Sequence, residues 1–176
     1  MKTPRFHLLC FTALSLSTLS APSALRAADS PPAPAPASAS APALDFGDFK
    51  SSTLTEKAWQ ALDGKDYASV MGYTQKCIDM FKDQAVAMQK SLTAAPDTSD
   101  KDKVFANWAL NDVGTCYYIQ GKALDDQGKT KDALAAYKFL ADNLSYAECY
   151  DPKGWFWSPA SAAKERVAAL QFDSIK

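Results

Sequence analysis

Small and large side chains alternate along residues 117–145, and this pattern constrains the fold more than any other feature of the chain. The segment reads YYIQGKALDDQGKTKDALAAYKFLADNLS. Its apolar positions recur at intervals of three and four on both sides of Gly128, which is the spacing of two amphipathic helices. Gly128 stands where a left-handed residue can end the first helix, and Thr130 begins the second. Because the connection is only about two residues long, the pattern predicts an antiparallel helical hairpin.

The placement of small and large residues in this hairpin resembles one tetratricopeptide (TPR) repeat. The matching positions are Gly121, Leu124, Gly128, Ala133 and Tyr137. An earlier segment, KAWQALDGKDYASVMGYTQKCIDMF, is similar to a second repeat, with Ala58 in the small-residue position and Tyr67 in the aromatic one. The resemblance implies a stack of helical hairpins in which one helix of each pair lines a groove for a partner.

The same periodicity extends along the rest of the chain and predicts about five helices and no strand. The predicted helices cover residues 52–62, 66–92, 102–127 and 130–143, and a last helix begins at Pro159 after its cap Ser158. The two repeat-like units start about 63 residues apart, nearly twice the TPR period of ~34 residues, so the second and third helices are longer than in a regular array. The expected fold class is all-α, with TPR-like antiparallel helical hairpins over residues 44–176.

The first 43 residues predict an export signal followed by a linker. Residues 1–27 have the order of a secretory signal peptide, with Lys2 and Arg5 before a short apolar core and small residues ending at Ala27. That core of about a dozen residues is shorter than the ~20 that a membrane-spanning helix needs. Residues 28–43 are rich in Pro, Ala and Ser and are predicted to be disordered. We therefore expect a periplasmic or secreted protein without a membrane span after signal removal.

Removal of residues 1–27 would leave an acidic chain without histidine. Lys2, Arg5 and Arg26 would be lost, so the 19 Lys and Arg would fall to 16 against 20 Asp and Glu, a net charge of −4. A nucleic-acid partner is not expected at this charge. The loss of His7 excludes Ser-His-Asp and Cys-His catalysis and His-ligated metal sites. With no phosphate-binding glycine loop, CxxC pair or calcium loop in the sequence, we expect no cofactor, no metal and no enzymatic activity.

A polar stripe on the helix predicted at residues 102–127 is the first candidate binding surface. Its members share one helical face at intervals of three and four: Asn107, Asn111, Thr115, Tyr118, Lys122 and Asp125. In the TPR family this face of the first helix lines the groove, so the resemblance implies contact with a peptide or a partner protein. The function expected on this basis is that of a protein-interaction or scaffold module. The alternative is that the stripe is the solvated side of its helix.

A cluster of aromatic residues between the last two predicted helices is the second candidate. It comprises Tyr150, Trp155, Phe156 and Trp157, with Tyr146 close by. Such rings recognise protein partners or stack on sugars, which makes carbohydrate binding the alternative function. They could instead fold inward and close the open end of the helical stack. In a third hypothesis the loop docks an accessory subunit on a larger complex.

The absence of histidine does not exclude carbohydrate hydrolysis, because this reaction requires only two carboxyl groups at a suitable separation. The candidates nearest to the aromatic cluster are Asp112, Asp142, Glu148 and Asp151. Their spacing in the sequence does not single out a pair, so binding is preferred over hydrolysis.

Three cysteines would remain after export, Cys77, Cys116 and Cys149. Cys77 lies on the apolar face of a predicted helix, where a free thiol packs as a small hydrophobe. In a TPR-like stack Cys116 would lie near the start of one helix, and Cys149 would lie where the chain returns to the same end. The resemblance thus gives Cys116 and Cys149 as the candidate disulfide in an oxidising compartment. The alternative is three unlinked thiols.

Overall fold

The structure is a computed structural model that describes residues 43–173. The predicted signal peptide (1–27) and all but the last residue of the predicted linker (28–43) lie outside the described residues. Within the described range the protein is mostly helical, in keeping with the predicted all-α class. Its elements are α1 (Ser51–Asp63), α2 (Tyr67–Ser91), α3 (Lys101–Ala106), α4 (Trp108–Asp126), α5 (Thr130–Asn143), β1 (Cys149–Asp151), β2 (Trp155–Trp157) and α6 (Pro159–Asp173). None of these helices has the length and apolarity needed to cross a membrane.

A tight turn reverses the chain between α1 and α2. Lys65 adopts a left-handed φ of +56° there, and the Asp66 carboxylate accepts a hydrogen bond from the Ser69 backbone N–H at 3.1 Å, which caps α2. Past the turn the two helices pack against each other and against α4 through one buried cluster. Its members are Ala58, Leu62, Val70, Ile119 and Ala123.

The predicted hairpin of α4 and α5 is present, and α5 has the predicted bounds. Gly128 has a φ of +70° and makes the turn. Further from the turn, a Cβ added to Gly121 would lie 2.5 Å from Cε1 of Tyr137, and one added to Gly114 would lie 2.6 Å from the Ala147 Cβ. An earlier residue of α4 thus meets a later residue of the following segment, Gly114 with Ala147 and Gly121 with Tyr137, as expected for an antiparallel pair. The two glycines allow a close approach that no other residue type permits.

Helices α1 and α4 lie side by side and run in the same direction. Three contacts between them follow in the same order along both helices: Ser51 with Asp112, Thr55 with Cys116, and Trp59 with Tyr118. Helices α2 and α5 both pack against α4. Helix α6 packs on α5 and reaches α4. The result is a bundle in which α1 and α4 share one face of the protein.

The single helix predicted at residues 102–127 is wrong, because it is interrupted at Asn107 and forms α3 and α4. Asn107 leaves helical geometry with φ −94° and ψ 35°, and its side-chain amide donates to the Lys103 carbonyl at 2.9 Å. The Asn111 amide donates to the Val104 carbonyl at 2.8 Å. Together these two asparagines bond carbonyls at the end of α3, where the helix is interrupted.

The prediction of no strand is also wrong, since the segment between α5 and α6 contains a short antiparallel hairpin. Its register pairs Cys149 with Trp157, Tyr150 with Phe156 and Asp151 with Trp155. The turn is closed by the Gly154 N–H, which donates to the Asp151 carbonyl at 2.8 Å while Gly154 takes a φ of +109°. The Asp151 carboxylate accepts from the Lys153 N–H at 2.8 Å.

All three described cysteines are free, so the candidate disulfide between Cys116 and Cys149 is not formed in the structure. Cys116 and Cys77 are both fully buried, and their thiols interact with each other in the core. The Thr55 hydroxyl lies 3.4 Å from the Cys116 sulfur. Burial, together with Cys77, raises the pKa of the Cys116 thiol well above its usual value. This thiol is therefore protonated and packs as an apolar group.

Candidate functional site

A groove of about 920 Å³ opens where α1, α4 and the β-hairpin meet. One wall is formed by α1, the floor by α4, and the opposite wall by the hairpin with Phe105 of α3. Among its described lining residues, none comes from α2 or α5, which lie behind the floor. The volume is near the upper end of the ~300–1,000 Å³ typical of ligand sites.

The polar stripe predicted on α4 is only partly assembled in this groove. Asn111, Thr115, Tyr118 and Lys122 line it. Asp125 lines a smaller neighbouring pocket of about 280 Å³, which Tyr118 and Lys122 share. Asn107 lines neither, because it occupies the break between α3 and α4. Four of the six predicted positions therefore face the larger groove.

Two members of the stripe use their polar atoms inside the protein. Besides donating to Val104, Asn111 accepts a hydrogen bond from the Glu148 N–H at 3.0 Å through Oδ1. The Thr115 hydroxyl donates to the Asn111 carbonyl at 2.8 Å. Only 7% of Asn111 and 2% of Thr115 is exposed. Asn111 thus joins α3, α4 and the chain before β1, while the Thr115 bond stays within α4, and both side chains have their hydrogen-bonding groups occupied inside the protein.

Asp125 is likewise engaged within the protein. Its carboxylate accepts hydrogen bonds from Nε and Nη2 of Arg166, the second at 3.0 Å. This bidentate ion pair fastens α6 to the end of α4. Of the predicted stripe, Tyr118 and Lys122 thus remain as the side chains whose functional groups face the groove. No ion pair of the Lys122 ammonium occurs within residues 43–173.

The aromatic cluster is only partly in the groove. Tyr150, Trp155 and Trp157 line it, whereas Phe156 does not. The Phe156 ring packs 5.6 Å from that of Phe105 and 5.0 Å from that of Tyr150, and so supports two rings that line the groove. The cluster therefore contains both of the roles weighed from the sequence, an inward-packed ring and rings that face a groove.

The two groove-facing tryptophans differ in exposure. Trp157 is partly buried and stands edge-on to Tyr118, with ring centroids 5.1 Å apart. Trp155 is 49% exposed. Trp157 thus joins the hairpin to α4, whereas about half of Trp155 is exposed in the groove, with the Lys153 ammonium 5.9 Å from its ring centroid.

Sequence reasoning missed the wall contributed by α1 and the rings at the start of α4. From α1 come Ser52, Thr55, Glu56, Trp59, Gln60 and Asp63. These follow the three- and four-residue spacing already recognised on α4, so the same criterion applied to α1 would have found them. Phe105 and Trp108, on either side of the break at Asn107, also line the groove and are 49% and 39% exposed.

Two carboxyl groups that line the groove, those of Asp112 and Glu148, lie in surroundings that disfavour their charge. Asp112 is held beneath α1, where the Ser51 hydroxyl donates a hydrogen bond to it. Burial raises the pKa of Asp112 in spite of this hydrogen bond, and burial alone raises the pKa of Glu148. Neither forms an ion pair with a described residue. Desolvation without a compensating cation is the physical cause of both shifts.

The remaining acidic candidates have ordinary roles. Asp142 lies exposed on α5, away from the groove, and Asp151 lines the groove while closing the hairpin turn. Among the described residues, no three Cys, Asp or Glu side chains are grouped as a metal site would require. Comparison of the chain with protein-family models, curated proteins and solved structures gave no match.

Proposed function

We propose that this protein is an exported TPR-like module that binds an extended segment of a partner protein in the groove between α1, α4 and the β-hairpin. The observation that carries the proposal is that exposed aromatic rings and polar side chains line the same groove. Trp108 and Trp155 expose apolar faces there, while Tyr118, Lys122 and Glu56 add polar groups. A peptide presents the same mixture of apolar side chains and polar backbone groups.

The helix order supports the TPR-like part of the proposal. In such arrays the first helices of successive hairpins run parallel and line the concave face, with the second helices behind them. Here α1 and α4 are parallel and line the groove, α2 and α5 lie behind, and Ala162 of α6 reaches the same groove. The export part is supported by the composition of residues 1–27.

The length of the groove suits a short extended segment. From Trp108 to Lys122 the floor runs along α4 for roughly 21 Å at ~1.5 Å per residue. An extended chain rises ~3.3 Å per residue, so about six residues would lie along this floor. Side chains of alternate residues would then point toward the two walls.

The test is a selection of random linear peptides, displayed on phage, against the immobilised full chain. Peptides are then measured on Trp155→Ala and on Phe49→Ala, a matched control because Phe49 is 46% exposed and does not line the groove. We expect enriched peptides to bind the control as they bind the unmodified chain. Binding to the Trp155 variant should fall about tenfold or more, since an exposed aromatic anchor contributes ≥1.4 kcal/mol at a binding hot spot. Failure to enrich any peptide, or equal loss in both variants, would refute the proposal.

Carbohydrate binding is the second candidate, favoured by one observation. Trp155 and Trp108 are partly exposed in the groove that Asp112 and Glu148 also line, and this combination also suits sugar rings and their hydroxyls. Retention of the full chain on immobilised polysaccharides, lost in Trp155→Ala and kept in Phe49→Ala, would favour this candidate over a peptide ligand.

A further inference from the structure

The charges that line the groove are unequal, and this inequality indicates what kind of segment fits it. The lining carboxylates are Glu56, Asp63, Asp112, Glu148 and Asp151. Among the described lining residues, Lys122 is the only one with a positive charge. Complementary charge steers association and juxtaposed like charge opposes it, so a cationic ligand is favoured and an anionic one is excluded.

Two of these carboxylates, those of Asp112 and Glu148, indicate where in the groove a cationic group would bind. Asp112 on the floor and Glu148 beside β1 are both partly buried, and neither has a cationic partner within residues 43–173. Such a charge is unfavourable in an apolar site until a cation with hydrogen-bond donors neutralises it. Because residues 43–173 supply no such cation, one carried by a ligand would gain more at these carboxylates than at the exposed rim.

The surrounding rings favour a planar cation. Trp108 and Trp155 line the same groove and are 39% and 49% exposed. A guanidinium group stacks flat on an indole ring and keeps its in-plane N–H donors for carboxylates, whereas an ammonium has no flat face. The attraction already operates within this protein, since the Lys153 ammonium lies 5.9 Å from the Trp155 ring centroid.

We propose that the segment bound in this groove carries an arginine whose guanidinium stacks on a groove tryptophan and donates hydrogen bonds to Asp112 and Glu148. This inference rests on the proposed function, because it names the side chain that the peptide groove selects. With five N–H donors in a planar fork, a guanidinium can stack on a ring and still donate to carboxylates. Apolar residues of the same segment would contact the remaining aromatic wall.

The experiment uses the peptides selected on the full chain. We expect them to share an arginine at one position, with lysine there less often. A selected peptide and its citrulline analogue, which replaces the guanidinium by a neutral urea of nearly the same shape, are then compared by fluorescence anisotropy. The citrulline peptide should bind about tenfold or more weakly, since a charge-assisted hydrogen bond contributes ~1.5–3 kcal/mol.

The protein variants locate the effect. Glu148→Gln keeps the side-chain shape and should remove most of the difference between the two peptides. Asp142→Asn removes a charge from exposed α5, outside the groove, and should leave the difference intact. Because citrulline changes only the peptide, that comparison remains decisive even if a protein variant folds poorly.

The outcomes separate this inference from the proposed function. Peptides that depend on Trp155 but show no arginine preference, or bind equally with citrulline, would overturn the arginine assignment and leave the peptide groove standing. Absence of any peptide that depends on Trp155 would overturn both. If the arginine peptide still binds Glu148→Gln more tightly than the citrulline peptide by the same factor, the assignment of the guanidinium to Asp112 and Glu148 would also be overturned.

Discussion

Substitution of Gly121 by alanine tests the closest contact in the fold, between α4 and α5. The added Cβ would lie 2.5, 2.7 and 2.8 Å from three ring atoms of Tyr137, where ordinary van der Waals contact begins near 3.4 Å. Tyr137 is 1% exposed, so its ring has no free space into which to move. Overpacking of this kind costs ~1–3 kcal/mol. Replacement of a mid-helix glycine by alanine returns ~1 kcal/mol of helix propensity.

The expected net loss for Gly121→Ala is therefore about 0–2 kcal/mol, a decrease in Tm of up to about 8 °C for a domain of this size. Gly64→Ala is the matched control, because a Cβ there would meet only carbonyl oxygens at 3.5 and 3.6 Å and its φ of −76° suits any residue. Its stability should stay within ~0.5 kcal/mol of the unmodified chain. Urea and thermal denaturation followed by circular dichroism measure both.

A double-mutant cycle isolates the contact itself. In the background of Tyr137→Leu, which removes the ring, Gly121→Ala should become neutral or stabilising by up to ~1 kcal/mol. The coupling energy between the two positions should then be about 1–3 kcal/mol. Additive effects of the two substitutions would show that the ring of Tyr137 does not pack on Gly121, and the close α4–α5 approach described above would have to be abandoned.

Four further outcomes follow from the site. Asn111→Ala should destabilise the protein by about 2–3 kcal/mol in urea denaturation, since it leaves two backbone groups without their hydrogen bonds; a loss below 0.5 kcal/mol, the usual scatter for surface sites, would contradict its joining role. Trp157→Ala should lower stability by about 2 kcal/mol, part of the cost of truncating a fully buried ring, whereas an unchanged Tm would mean that it does not brace the hairpin on α4. Arg166→Ala should cost only about 0.5–1 kcal/mol, because its ion pair is partly exposed and screened by salt, and a larger loss that salt does not reduce would argue against that weighting. Burial raises the pKa of Glu148 above its ordinary 4.5, so its ionised form destabilises the folded state at neutral pH. Glu148→Gln should therefore melt above the unmodified chain at pH 7, with the advantage disappearing as the pH falls to that ordinary value, and equal Tm values at pH 7 would contradict this sign.

Local signals were sufficient to predict the elements whose ends are set by local residues. Helix α5 was predicted with its observed bounds because Gly128 terminates the helix before it through its own backbone conformation. Helix α6 begins at Pro159 for a similarly local reason, the restricted φ of proline at a first helical position. In both cases the information lies within a few residues of the boundary.

The break at Asn107 and the β-hairpin depend on contacts between distant or weakly patterned residues. Asn107 could have continued a helix, but Asn111 bonds both the Val104 carbonyl and the Glu148 N–H, which lies 37 positions away. The two strands have three residues each, too few for alternation to distinguish them from a loop.

The sequence predicted two parts of the candidate site separately but not that they meet, because their meeting depends on contacts between distant residues. The periodicity of α4 placed Tyr118 and Lys122 on one face, and composition singled out Trp155 and Trp157. That the two sets would meet in one groove depends on the hairpin register and on the break before α4. The wall from α1 depends on which helices lie side by side, which a single-helix pattern does not contain.

The tip of the β-hairpin is a part of the groove wall whose sequence could change without disturbing the packing of the helices. Pro152, Lys153 and Gly154 are exposed, and among described residues the turn is closed by its own hydrogen bonds to Asp151. Insertions or substitutions at this tip would reshape one wall while the helices behind it keep their packing. Descendants of this chain could thus acquire new binding preferences by small changes at the tip, and an engineer could graft loops there as on an antibody framework.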